Sequence, residues 1–127
     1  MMNESRSRCL SAIVLVCILM LAGAPRVFAH SRPVTYDPAP DSSVAHPSAI
    51  TIHFSEALEP KFSSLFIMGM DGGSVKTDKA VVDSTDPKKM TLTLPKLVPG
   101  EYMVHWVSVS KGDGHRLEGS YNFKVTE

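Results

Sequence analysis

Residues 30 to 127 carry their apolar side chains in short alternating runs broken by proline and glycine, and no window sustains a helical period. Side chains two apart share one side of an extended chain, so this alternation predicts strands. In AITIHFSE, Ile50, Ile52 and Phe54 fall on one side, Thr51 and His53 on the other. SLFIM (64 to 68) and MTLTL (90 to 94) repeat the pattern. GEYMVHWVSVS is the longest candidate, with Tyr102, Val104 and Trp106 together, and SYNFKV groups Tyr121, Phe123 and Val125. Weaker candidates lie at 34 to 36 and 75 to 82. DPAPDSS, DGG (71 to 73), STDP (84 to 87), VPG (98 to 100) and KGDGH (111 to 115) supply the turns between them. About seven strands in one domain predict an all-β, seven-stranded Greek-key sandwich or barrel.

The first 29 residues read differently. Arg6 and Arg8 precede an apolar run from Cys9 to Ala24, and Val27-Phe28-Ala29 follows. This is the anatomy of a secretory signal peptide. Ala29 at −1 and Val27 at −3 suit a cleavage pocket, whereas a cut after Ala24 would leave Pro25 at +1. The run of about 16 residues also falls short of the roughly 20 that a membrane span needs. The expected division is therefore a signal peptide over 1–29 and a mature domain over 30–127 that begins at His30.

Removing the leader changes the inventory of the 127-residue chain. Arg6, Arg8, Arg26 and Glu4 leave, so the mature part keeps ten basic and twelve acidic residues, a net charge of −2 with histidine neutral. Nucleic acid is excluded as a partner class, because phosphate neutralisation needs a clustered basic surface. Cys9 and Cys17 leave as well, so no disulfide holds the exported domain. All five histidines (His30, His46, His53, His105, His115) stay, with Met68, Met70, Met90 and Met103.

The sharpest local motif is Asp113-Gly114-His115, between the two best strand candidates. Residues two apart project to the same side, and glycine between them lets the backbone bend, so a carboxylate and an imidazole can converge on one ion. Alone, such a triplet is commonly a solvated turn. His30 adds weight for a chemical reason. As an N-terminal residue it offers its amine and its own Nδ1, which close a six-membered chelate ring. With Asp113 and His115 the donors become three nitrogens and one oxygen, a set that suits tetragonal Cu(II). Zinc would accept the same atoms, although structural zinc sites favour tetrahedral cysteine and histidine. The rival reading is a frayed terminus and a surface-loop histidine.

From His30 onward the chain resembles the CopC family of periplasmic copper-resistance proteins. The resemblance rests on the histidine behind the leader and on DPAPDSSV, IHFSEALEPKFS, GEYMVHW and DGHRLEGSYNFKV, and runs almost to the C-terminus. It implies an Ig-like seven-stranded sandwich or barrel, cupredoxin-like in outline. It also implies a Cu(II) site made by His30, Asp113 and His115, with Glu56 of the FSE segment as an outer acceptor that orients a ligand. A periplasmic location, a monomeric protein and a CopD-type inner-membrane copper transporter as partner are further implications.

Two departures from the family pattern stand out. One extra residue near Lys111-Gly112 predicts a bulged loop. A methionine-rich loop that binds Cu(I) in some members is reduced here to IMGMDGG, where Met68 and Met70 form at most a weak Cu(I) pair. His53 and His105 lie opposite the apolar side of their strands and read as exposed residues, His46 as a turn residue before Pro47, Met90 and Met103 as strand residues near the core boundary, and Trp106 as core. No spacing pairs a nucleophile with a base and no glycine loop suits phosphate, so the chain is not expected to be an enzyme. The expected function is copper binding for sequestration, resistance or transfer. Two other classes compete with it: a small copper oxidase or monooxygenase built on a histidine brace, and an Ig-like interaction module with incidental histidines.

Overall fold

A computed structural model describes residues 30–127, and the signal-peptide reading of 1–29 lies outside them. The described chain forms eight strands: β1 (Pro33–Asp37), β2 (Ser43–Ala45), β3 (Ala49–Phe54), β4 (Ser64–Gly69), β5 (Val81–Val82), β6 (Lys89–Thr93), β7 (Gly100–Val109) and β8 (Arg116–Thr126). They build two four-stranded sheets, ordered β1-β3-β6-β5 and β2-β8-β7-β4. All pairs are antiparallel except β2 with β8. The all-β sandwich is as expected. Among the described residues no helix is long and apolar enough to cross a membrane.

The alternation identified in the sequence is the burial pattern of the sheets. Ile50, Ile52 and Phe54 of β3, Met90 and Leu92 of β6, Tyr102, Val104 and Trp106 of β7, and Tyr121, Phe123 and Val125 of β8 all point into one core. Covering one face of each sheet and leaving the other in water is the ordinary economy of antiparallel sheets. Met90, expected near the core boundary, is fully buried, whereas Met103 faces outward.

Eight strands rather than about seven is a correction with a physical cause. Strand β2 holds one half-buried apolar residue, Val44, in three, too short for any alternation to register, and exists because it lies parallel beside β8. The candidate over 75 to 82 shrinks to Val81–Val82, because only those residues pair with β6. Strand β8 begins at Arg116, before its apolar residues start, because it follows β7 in unbroken register from Gly100↔Val125 to Val109↔Arg116.

One glycine in that ladder sets the shape of the core. Gly119 faces Trp106, whose indole lies flat against it; a Cβ there would sit 2.7 Å from indole Cζ2. Trp106 in turn meets the edge of Phe54 across the sandwich, with ring centroids 5.9 Å apart. Gly119→Ala must therefore displace the largest core side chain, and it is expected to cost about 1 to 3 kcal/mol. Chemical denaturation against the parent domain, read by Trp106 fluorescence, checks this, and a loss near zero would show that the indole moves freely.

Candidate metal centre

The end of the sandwich where β3 and β7 finish is held by serines. On β7 the inward positions run Tyr102, Val104, Trp106 and then Ser108 and Ser110, so the core face turns polar at this end. Ser108 is fully buried and its hydroxyl donates to the carbonyl of Ser31, itself fully buried. The Ser31 hydroxyl donates to the Glu56 carbonyl at 3.1 Å. Ser55, just beyond β3, donates through Oγ to the His30 carbonyl at 2.9 Å and accepts from Arg32 N–H at 3.2 Å. Its backbone N–H bonds to the Arg32 carbonyl. Buried backbone groups need such partners, and together these bonds fix His30 at the edge of the β7–β8 hairpin. Ser31, Ser55 and Ser108 carry this placement and were not singled out in the sequence. The available signal was two serines at apolar parity in WVSVS.

The hairpin itself is short. Ser110 N–H bonds to the His115 carbonyl at 2.9 Å and Gly114 N–H to the Ser110 carbonyl at 2.8 Å, closing a loop of Lys111, Gly112, Asp113 and Gly114. Gly114 has φ of +69°, a left-handed conformation that a side chain would disfavour. Lys111 and Gly112 lie in this loop, and the β7–β8 ladder beneath it runs without a shift of register.

At that edge the imidazoles of His30 and His115 are stacked, with centroids 3.8 Å apart and planes inclined by 27°. The stack puts the two imidazoles in direct contact at this edge. Asp113 Oδ1 accepts the His115 N–H at 3.0 Å. That bond lowers the pKa of the Asp113 carboxyl against the opposing effect of desolvation, and the Ser110 hydroxyl and the two imidazoles lower it further. The group is thus an anion beside two stacked imidazoles, with Oδ2 not engaged by the N–H. All three residues are exposed. Among the described residues, no group of three or more His, Cys, Asp or Glu side chains is placed to hold a metal ion as it stands, His30, Asp113 and His115 included.

The other expected residues divide. Glu56 is tied to the terminus through its backbone carbonyl, which accepts from Ser31. Met68 lies on the outer side of β4 and is half buried; Met70 lies just past the strand and is 51% exposed. His53 sits on the outer side of β3 between Thr35 Oγ1 (3.3 Å) and Asp86 (3.6 Å). His105 faces outward on β7, its ring tilted against Phe66 and its Nε2 3.8 Å from Glu118. His46 is exposed in its turn. None of these reaches His30 or His115 as a ring partner.

Comparison with known proteins agrees with this architecture. Protein YobA of Escherichia coli K12 is 40% identical over 103 residues, covering 80% of this chain and 82% of that protein. Copper resistance protein C of Pseudomonas syringae pv. tomato is 38% identical over 103 residues, covering 76% and 81%. The crystal structure of CopC from Methylosinus trichosporium OB3b superposes with a TM-score of 0.70 at 34% identity, covering 76% of this chain and 93% of that one. The CopC domain family matches residues 33–126, from the first residue of β1 to the last of β8. A match of that extent, on a sandwich of the same topology class, makes the chain a member of the CopC family.

Proposed function

We propose that this protein is a periplasmic copper-binding protein, described by its cargo rather than by a reaction: it holds Cu(II) for sequestration, resistance or transfer. The observation that carries the reading is the His30–His115 ring stack beside an ionised Asp113. Cleavage after Ala29 would turn the His30 nitrogen into a free amine, adding a second nitrogen from the residue that already lies on His115. The donors are then the His30 amine and Nδ1, one nitrogen of His115 and Asp113 Oδ2, a nitrogen-rich tetragonal set of the kind Cu(II) favours over other divalent ions. The Glu56 carboxylate, on the segment that anchors Ser31, serves as the outer acceptor for the amine.

Binding rather than catalysis suits this set, because Asp113 supplies an oxygen where an oxidase needs an open position. The similarity to copper resistance protein C of Pseudomonas syringae supports copper as cargo. Export through a cleaved leader, a monomeric carrier and handover to a CopD-type membrane transporter complete the proposal. Proteolysis then has a chemical role: the tight chelate forms only after the leader is gone.

Two measurements test it. Mature protein beginning at His30 is expected to give a nitrogen-rich tetragonal Cu(II) EPR signal. One alanine added before His30 should weaken Cu(II) by at least about tenfold, ~1.4 kcal/mol, as should His115→Ala; equal affinity in the extended protein would remove the amine from the site. The pH dependence has a definite sign. Cu(II) displaces protons from the amine and the imidazoles, so affinity falls on acidification by about tenfold per pH unit for each proton displaced. Competition titrations with a Cu(II) chelator between pH 8 and 5 read this slope, and a flat profile would exclude an amine and imidazole ligand set.

A further inference from the structure

The register of β4 against β7 makes a constellation that neither strand shows alone. Met68 lies directly opposite Met103, and Phe66 opposite His105. All four are on the outer side of the sheet, since Leu65, Ile67, Tyr102 and Val104 between them are core. Directly opposite side chains have Cβ atoms about 4.5 to 5.5 Å apart, and diagonal ones remain within reach of long side chains. Two flexible thioethers therefore meet across one rung, with an imidazole on the next rung of the same side. Met68, Met103 and His105 are each half buried.

We propose that the Met68 and Met103 thioethers and a ring nitrogen of His105 form a second metal site on this outer face, selective for the soft monovalent ion Cu(I). The site goes beyond the Cu(II) reading and shares no residue with it. It also differs from the Met68–Met70 pair considered from the sequence: strand pairing supplies Met103 and His105, the third donor that pair lacks. Thioether sulfur selects Cu(I) over the harder divalent ions, and imidazole is compatible with both. The surroundings suit such an ion. Phe66 lies against the His105 ring, tilted by 31° with centroids 4.7 Å apart, and covers one side of it. Glu118, 3.8 Å from Nε2 and held by Arg116 at 2.7 Å, stands as an outer carboxylate on one ring nitrogen and leaves Nδ1 for the metal. Thioethers carry no proton to displace, so only the imidazole links this site to pH, whereas the amine chelate displaces protons from an amine and imidazoles.

The test uses mature protein with 13C-labelled methionine methyls, titrated with Ag(I), a redox-inert ion of the same soft class, and with Cu(I) under anaerobic conditions. The expected result is that the Met68 and Met103 methyl signals shift together and saturate at one equivalent. The Met90 methyl, fully buried in the core, stays in place. Met103→Leu and His105→Gln should each weaken Ag(I) by at least about tenfold, and Met70→Leu should change it by less than about twofold. Retained signal dispersion shows that each variant folds. The proposal is overturned if Met68 and Met70 shift without Met103, or if Met103→Leu binds as the parent does. Methyl signals that do not move would also overturn it, leaving a cross-strand apolar pair. The Cu(II) EPR signal of the same samples is independent of every one of these outcomes.

Discussion

The hydroxyl of Ser108 donating to the carbonyl of Ser31 is the contact on which the candidate centre depends. A chain terminus entering a sandwich end is a poor structural element: it brings backbone groups that water no longer reaches and few apolar atoms. Here the core face of β7 changes from Trp106 to Ser108, so the buried carbonyl of Ser31 finds a donor where an alanine or valine would leave it unpaired. An unpaired buried polar group costs about 1 to 3 kcal/mol, a large fraction of a small domain's stability. With Ser31 locked, Ser55 holds the residues on either side of it, and His30 has little choice of position. The ring stack with His115 follows from this anchoring.

This arrangement separates what must be rigid from what must stay accessible. Below the serines lie Trp106, Gly119 and Phe54, packed so closely that a single Cβ would not fit. Above them His30, Asp113 and His115 are exposed, on a terminus and a four-residue loop. The unbroken β7–β8 register carries the rigidity of the core up to Val109↔Arg116, and one turn further the donors stand in water. The proposed copper cargo would have to enter and leave, and donors at a solvent-exposed rim of a stiff frame would suit that better than a buried cage.

The legible part of this protein is the part governed by periodicity. Ile50, Ile52 and Phe54, or Tyr102, Val104 and Trp106, announce both strand and orientation because burial acts on every second residue. Strand β2 was not legible: its reason for existing is the neighbouring edge of β8, which three residues of sequence cannot encode. The Asp113-Gly114-His115 hairpin stood out because the spacing itself carries chemistry. Its proximity to His30 came from family resemblance, and the serines that produce it were passed over because polar residues at apolar parity look like noise until both partners are seen. Met103 likewise read as a strand residue near the core boundary; only the register, a long-range property, turns it toward Met68.

The same strand, β7, therefore leads toward two donor sets of opposite character. Past its end stand nitrogens and a carboxylate oxygen; on its outer face, six residues before Val109, stand thioethers and an imidazole. At about 3.4 Å per residue, Met103 and Val109 are about 20 Å apart, much farther than any pair of side chains can bridge. No ion can pass between the two by ligand exchange within one molecule. A barrel with both sites filled would hold two ions whose oxidation states are selected locally, by sulfur in one place and by amine and imidazole nitrogen in the other. With both proposed sites filled, exchange between them would have to run through solvent or through a second protein, and the outer face of β4 and β7, with the exposed ring of Phe66 at its edge, is the surface on which such a protein would act.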